Sequence, residues 1–394
     1  MDLPRFVVDG MNGEPSPNTG ILAWVPPNAQ KIRAVFVIIQ NTDSKHLGEH
    51  ATIREVATQR EMGIVYLRIN QWYGDRIKSQ TPNILPACLD TVAKKTGIGE
   101  FRYAPWITLG KSASGEFPIA NTFLYPKRSI AGISYHGRTP QYPVPSWANL
   151  DGESIMYTCV QGHNEWEATW RVHVRPAMLG FRNENWLTNQ IVGFNVGHGE
   201  YPDKHGSIGW GKEFPGQVTC VNVWDYLALF IDRAIDLRVP RDTYPTDAPV
   251  ELLQVSDSVG YLIEPRAEDF FTQTPSEPLE CIVRAAADVP NDKRTGMFWV
   301  PDLEVANAWW DIHAILNQDS DVGICPATNA VDRSFPINSK PGGKSNQKKS
   351  LRYKGTQSEL KRATGTPYDL RGRLSHPAEA DRRIKKPCGI TVQK

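Results

Sequence analysis

A serine hydroxyl becomes an effective nucleophile only when a neighbouring base takes its proton and a further group orients that base. The segment Leu109-Gly110-Lys111-Ser112-Ala113-Ser114-Gly115 has the form that such a serine requires. In a G-x-S-x-[SG] elbow the serine sits on a strained turn between a strand and a helix. Very small residues two places before and two places after let the backbones pass. Gly110 and Ser114 fill those places, and Gly115 adds room. The apolar run Trp106-Ile107-Thr108-Leu109 precedes the turn, and a helical segment with Pro118 in its first turn follows it. A phosphate-binding reading of Gly-Lys-Ser fails. A P-loop needs a glycine five residues before the glycine of Gly110-Lys111, and Pro105 stands there.

A base and an acid must then come from later strand ends, in the chain order serine, carboxylate, histidine. The apolar strand Ile155–Gln161 runs into Gly162-His163-Asn164-Glu165, and the strand Gln190–Val196 runs into Gly197-His198-Gly199. These positions predict Glu165 as the orienting acid and His198 as the base, with Glu167 and His205 as the alternatives. His136 and His163 also follow strands and are expected to line the pocket. Two backbone N–H donors must hold a developing oxyanion. One is expected from Ala113, directly after the serine. The other is expected from Asn41 or Thr42, in the polar turn after Ala34–Ile39. Trp147, Trp166, Trp170, Trp186, Trp210 and Trp224 all fall between the elbow helix and the last helix of this region. Large rings beside polar groups suit an acyl chain, an aromatic ester or a sugar face. Trp166 or Trp170, close to Glu165, is expected in the acyl pocket, while core packing accounts for Trp224 and others. His198-Gly199-Glu200 with His205 is an isolated H-x-E. It lacks the H-E-x-x-H or cysteine partners of zinc hydrolases, so no metal site is expected there.

The elements that must carry these residues alternate. Ala34-Val35-Phe36-Val37-Ile38-Ile39 is a continuous apolar run suited to a strand buried on both faces. A helix with Ile53, Val56 and Ala57 at helical spacing follows, closed by Gly63, and then the strand Ile64–Leu67. Further helices are expected over 85–97 and 221–237, and further strands over Ser129–Tyr135, Val250–Val255 and Val259–Ile263. A last helix is expected over Asp302–Ala314. Such alternation spaces itself as βα units and predicts an α/β protein with a doubly wound, mostly parallel sheet. The reading divides the chain into a catalytic domain over 1–240, an extension or small accessory module over 241–334, and a basic, disordered tail over 335–394.

Charge follows that division. From Lys340 to Lys394 there are 15 Lys/Arg against 4 Asp/Glu, so this segment carries +11 and the rest of the chain −10. The tail has few aromatics and no groove-reading motif, so a solvated segment is expected there and no nucleic-acid partner. Six scattered cysteines without a CxxC read as buried free thiols. No stretch approaches the roughly 18 apolar residues of a membrane span. The start Met1-Asp2-Leu3-Pro4 has no signal-peptide pattern, which fits a cytoplasmic protein or a processed secreted one. Oligomeric state is not legible.

Residues 31–240 resemble the α/β-hydrolase superfamily, in its dienelactone-hydrolase-like and polyester-depolymerase-like serine esterase branch. The residues that carry the resemblance are Gly110-Lys111-Ser112-Ala113-Ser114-Gly115, Gly162-His163-Asn164-Glu165, Gly197-His198-Gly199 and the helix through Tyr226–Ile231 that ends at Leu237-Arg238-Val239-Pro240. The resemblance implies hydrolysis of a small-molecule or polymeric ester through an acyl-enzyme, without cofactor. A lactonase on the same triad is the alternative, and a catalytically silent polymer- or partner-binding protein is the reading outside enzymes. The chain departs from the family pattern in three ways. It has serine where dienelactone hydrolases carry cysteine, Glu in place of the commoner Asp, and an insertion over Glu200–Thr219.

Overall fold

A computed structural model describes residues 20–27, 29–41, 45–68, 84–137, 142–149, 155–162, 165, 170–184, 186–193, 198, 222–265, 281–313 and 391–392. Its centre is a seven-stranded sheet. The strands are β1 (Gly20–Trp24), β2 (Ala34–Ile39), β3 (Met62–Arg68), β4 (Trp106–Lys111), β5 (Ser129–Tyr135), β6 (Met156–Gly162) and β7 (Leu187–Gly193), in the spatial order β1-β3-β2-β4-β5-β6-β7. Only β1 runs antiparallel, against β3; every other pairing is parallel.

The apolar run of β2 explains the layering. All six of its residues are buried. Ala34, Phe36 and Ile38 pack into one apolar cluster, whereas Val35, Val37 and Ile39 pack into another. Side chains alternate across a strand with period two, so both faces of the sheet must be covered. Helix α1 (Lys45–Glu49), α2 (Ala51–Gln59) and α6 (Asn222–Arg238) contribute to the first cluster through Leu47, Ile53, Val56, Ala57 and Tyr226–Ile231. Helix α3 (Ile84–Thr96) covers the other face through Leu85, Cys88, Leu89 and Val92. Helices α4 (Glu116–Leu124) and α5 (Arg175–Asn183) complete the layers. The doubly wound, mostly parallel α/β class expected from the sequence is the one observed.

One strand is not among the expected elements: β1 pairs Gly20–Trp24 with Ile64–Arg68 and forms an antiparallel edge. Three expectations need correction. Gly63 does not close α2 but lies in β3, where the Phe101 ring stands 2.7 Å from the position a Cβ would take. The helix ends instead at Arg60 and Glu61, the latter at φ 51°. Strand β7 begins at Leu187, three residues before the expected Gln190, and residues 194–196 lie outside the described residues. Val250–Val255 is not a strand. Its apolar Val250, Leu252 and Val255 are buried without sheet partners, and the Leu253 N–H donates to the Arg238 carbonyl at 2.8 Å.

Beyond α6, β8 (Tyr261–Pro265) pairs antiparallel with both β9 (Cys281–Ala285) and β10 (Phe298–Val300), and β11 (Thr391–Val392) runs parallel to β9. Helix α7 (Leu303–His313) follows β10. Phe298, Trp299, Val300, Val305 and Trp309 join the apolar cluster that contains Leu187, Ile191 and Phe230. The Trp309 indole N–H donates to the Gln190 carbonyl at 2.7 Å. Asp257 sits between two buried guanidiniums, 2.6 Å from Arg294 and 3.6 Å from Arg182 of α5. Apart from Thr391–Val392, the expected tail over 335–394 lies outside the described residues. Among the described residues no helix is long and apolar enough to cross a membrane. Cys88 and Cys159 are buried free thiols.

Candidate active site

Strand β4 delivers Ser112 to the C-terminal edge of the sheet. Ser112 adopts φ 53°, a left-handed conformation that is costly for a residue with a side chain and that clusters at functional turns. A single 3-10 turn, Ser112–Gly115, leads into α4. The close approach expected of the elbow is present. A Cβ on Gly110 would lie 1.9 Å from the Ser114 carbonyl oxygen, so only glycine fits there. Two hydrogen bonds fasten the loop after β2 to this turn. The Ser114 hydroxyl donates to the Gln40 carbonyl at 2.9 Å, and the buried Asn41 amide donates to the Lys111 carbonyl at 2.6 Å. Asn41 thus stands beside the elbow, as does the half-buried Ala113. Thr42 lies outside the described residues.

His198 and Glu165 converge on that turn. The His198 Nε2 lies 2.7 Å from the Ser112 Oγ although the two residues are 86 positions apart. The other ring nitrogen of His198, Nδ1, faces the Glu165 Oε2 at 3.4 Å. His198 keeps 14% of its side chain exposed and Glu165 only 5%, so the relay runs from a solvent-reachable hydroxyl inward to a buried carboxylate. Glu165 follows β6 through a tight turn. Its N–H donates to the Gly162 carbonyl at 3.1 Å, and its Oε1 accepts the Gly162 N–H at 2.7 Å.

The sequence reading expects His136 to line the pocket. His136 directly follows β5 at φ 46°, with its N–H donating to the Val160 carbonyl at 2.7 Å. Its ring is fully buried and its Nδ1 makes a short hydrogen bond to the Glu165 Oε1, so it packs against the acid. The signal was the position of His136 directly after β5. Using that signal requires knowing that β5 lies between β4 and β6, which the sequence does not state. Trp170, expected in the acyl pocket, opens a π-helical turn, Trp170–Val174, and is 2% exposed within the apolar cluster, and its carbonyl accepts the Gln190 side chain at 3.0 Å. Trp186 and Trp224 are buried in the same cluster. His163, Trp166, Glu167, Glu200, His205 and Trp210 lie outside the described residues.

The electrostatics follow from burial and pairing. Burial alone would raise the Glu165 carboxyl, but His136 and then His198 stabilise its anion more strongly and hold its pKa down to about 2. Burial lowers the pKa of His136, and the adjacent Glu165 opposes this only in part. The consistent arrangement is an ionised Glu165 accepting the Nδ1–H of a neutral His136. Among the described residues His136, Glu165 and His198 also form the group of ligand-type side chains compact enough for a metal ion, with atoms within 4.8 Å of one another. Those same atoms already satisfy each other and Ser112 through hydrogen bonds. Chemically, the cluster can withdraw a proton from Ser112 and balance the resulting imidazolium with a fixed anion.

No protein-family model matches this chain. No curated protein matches it either. Several solved structures are similar in backbone course over about half of it. Esterase PE8 is 12% identical with a TM-score of 0.39, covering 54% of this chain and 97% of that one. The Bacillus cereus carboxylesterase is 13% identical with a TM-score of 0.38, covering 56% and 96%. LpqC, a poly(3-hydroxybutyrate) depolymerase from Bordetella parapertussis, is 12% identical with a TM-score of 0.37, covering 57% and 88%.

Proposed function

We propose that this protein is a carboxylic-ester hydrolase that works through a Ser112–His198–Glu165 triad and an acyl-enzyme. One observation carries the reading: the ends of three strands bring the Ser112 Oγ to 2.7 Å from the His198 Nε2 while the His198 Nδ1 faces Glu165. The Ser112 Oγ attacks the ester carbonyl as its proton passes to the His198 Nε2. The N–H groups of Ala113 and Asn41 hold the oxyanion. Collapse of the tetrahedral intermediate breaks the bond to the alcohol, which leaves with the proton from His198. Water then repeats the sequence on the acyl-enzyme, giving the carboxylic acid and restoring Ser112. Glu165 remains ionised throughout and stabilises the imidazolium.

The test is turnover of short-chain p-nitrophenyl esters by the intact chain and by Ser112→Ala, with circular dichroism to establish folding. Activity lost in a folded Ser112→Ala variant supports the reading. Activity of wild-type magnitude in that variant sinks it. A lactone and a polymeric ester belong in the same assay, since an identical triad opens all three.

A further inference from the structure

We propose that His136 is a positioning residue that locks the Glu165 carboxylate so that one oxygen alone is presented to His198. The inference rests on the triad reading and extends it by a residue that does not touch the substrate. Glutamate carries one more torsion than aspartate, so a triad glutamate must be prevented from rotating its carboxylate away from the base. Here the Oε1 is held from two sides, by the His136 Nδ1 and by the Gly162 N–H at 2.7 Å. This leaves the Oε2 for His198. The three histidine-facing contacts come from consecutive strand ends, since β4, β5, β6 and β7 lie side by side. His136 therefore occupies the gap between the nucleophile strand and the acid strand, with its ring 6.1 Å from that of His198 and nearly perpendicular to it.

The site is built to hold this imidazole. Its left-handed backbone is fixed by the N–H bond to Val160, and the Tyr135 ring packs edge-on against it at 4.7 Å. The Gln161 amide donates to the next carbonyl, that of Gly137, at 3.0 Å. The charged and titratable groups that act on His136 are Glu165 after β6, His198 after β7 and Lys111 at the end of β4. Of these only Glu165 favours a proton on the ring, and burial opposes one. A neutral His136 then has one Nδ1–H to give, and it goes to the carboxylate. Removing that donor frees the carboxylate to turn.

The experiment compares kcat and KM on p-nitrophenyl acetate for the full-length wild type, His136→Phe and His136→Asn. Phenylalanine keeps the ring and loses the donor. Asparagine accepts the left-handed backbone and places an amide N–H near the former Nδ1. His136→Phe is expected to lower kcat by on the order of 10–100-fold. KM should hardly move, because the donor acts on the acid and not on the substrate. His136→Asn should recover most of the lost kcat. A His136→Phe variant whose loss falls on KM instead of kcat, or a His136→Asn variant as impaired as His136→Phe, overturns the inference and leaves only a packing role. Ser112→Ala run alongside separates the two levels: activity surviving there removes the triad reading itself. If His136→Phe does not fold, or if the ester is not turned over, proton NMR of His198→Ala decides. A strongly downfield imidazole N–H resonance that persists without His198 supports a His136–Glu165 hydrogen bond, and its absence overturns it.

Discussion

The elbow and the acid cluster do the two halves of one job by different physics. At the elbow, Gly110–Gly115, the determinants are steric and nearly local: a left-handed Ser112, a glycine where any Cβ would strike a carbonyl at 1.9 Å, and two bonds from residues 40 and 41. At the acid cluster the determinants are electrostatic and remote. His136, Glu165 and His198 come from three strand ends, and the carboxylate is buried and shared. The first region should fail when atoms are added to it. The second should fail when charge or a proton is added to it.

The largest effect should come from the residue that joins the two regions. His198→Ala removes the proposed base but leaves both regions packed, because the ring is partly exposed. Turnover is expected to fall by about 10⁴-fold or more. The unfolding free energy should stay within about 0.5 kcal/mol of wild type. A base elsewhere in the chain would reveal itself by residual activity. Glu165→Gln comes next. It preserves shape while removing the charge and misassigning the ring proton, and should cost on the order of 10³–10⁴-fold in kcat. Gly110→Ala tests the other region. The added methyl must displace the Ser114 carbonyl, so a loss of about 3 kcal/mol in stability is expected. A fall of roughly 100-fold in activity should accompany it as Ser112 is carried off line. Equal denaturation curves for Gly110→Ala and wild type would show that the turn is not sterically fixed.

The same contrast explains what the sequence discloses. The elbow is legible because its requirements sit within six consecutive residues and are set by backbone clearance. Glu165 and His198 are legible through the order of strand ends, which chain direction preserves. The role proposed for His136 is not legible, because it depends on β5 lying between β4 and β6, and spatial order is a property of the sheet. Likewise β2 announces itself by six buried apolar residues, whereas β1, an antiparallel edge strand with a residue of intermediate exposure between buried ones, blends into its irregular surroundings. Val250–Val255 shows the converse error, since closely spaced buried apolar residues also arise when an irregular segment lies on a core without pairing.

Of the two regions, only the acid cluster holds groups that take up protons in the acid range. Glu165 has its carboxyl lowered from 4.5 to about 2, so its ionised form adds stability above about 4.5 that is lost as pH falls toward 2. His136 is lowered below 6.5, so below that pH the unfolded chain takes up a proton that the folded one resists, and stability again falls with pH. The signs agree. Denaturation midpoints should decline from pH 7 downward, with the carboxylate contributing on the order of 3 kcal/mol. Glu165→Gln should flatten the lower part of that decline and His136→Phe the upper part. A decline unchanged in both variants would place the acid-sensitive groups elsewhere.

The smallest expected effect lies at the seam between the regions, and it decides whether the loop after β2 takes part in chemistry or only in packing. Asn41→Ala removes the amide bond to the Lys111 carbonyl and should cost about 1–2 kcal/mol of stability. If the Asn41 N–H also holds the oxyanion, loosening this loop weakens an interaction made fully only in the transition state. In that case kcat falls by roughly tenfold while KM hardly moves. Ser114→Ala cuts the other tie, the bond to the Gln40 carbonyl, and should act in the same direction but more weakly. Stability lost with kcat unchanged would make the loop a brace for the elbow and shift the second oxyanion donor to another residue. A fall in kcat that is larger in Asn41→Ala than in Ser114→Ala, at matched loss of stability, would assign it to the loop.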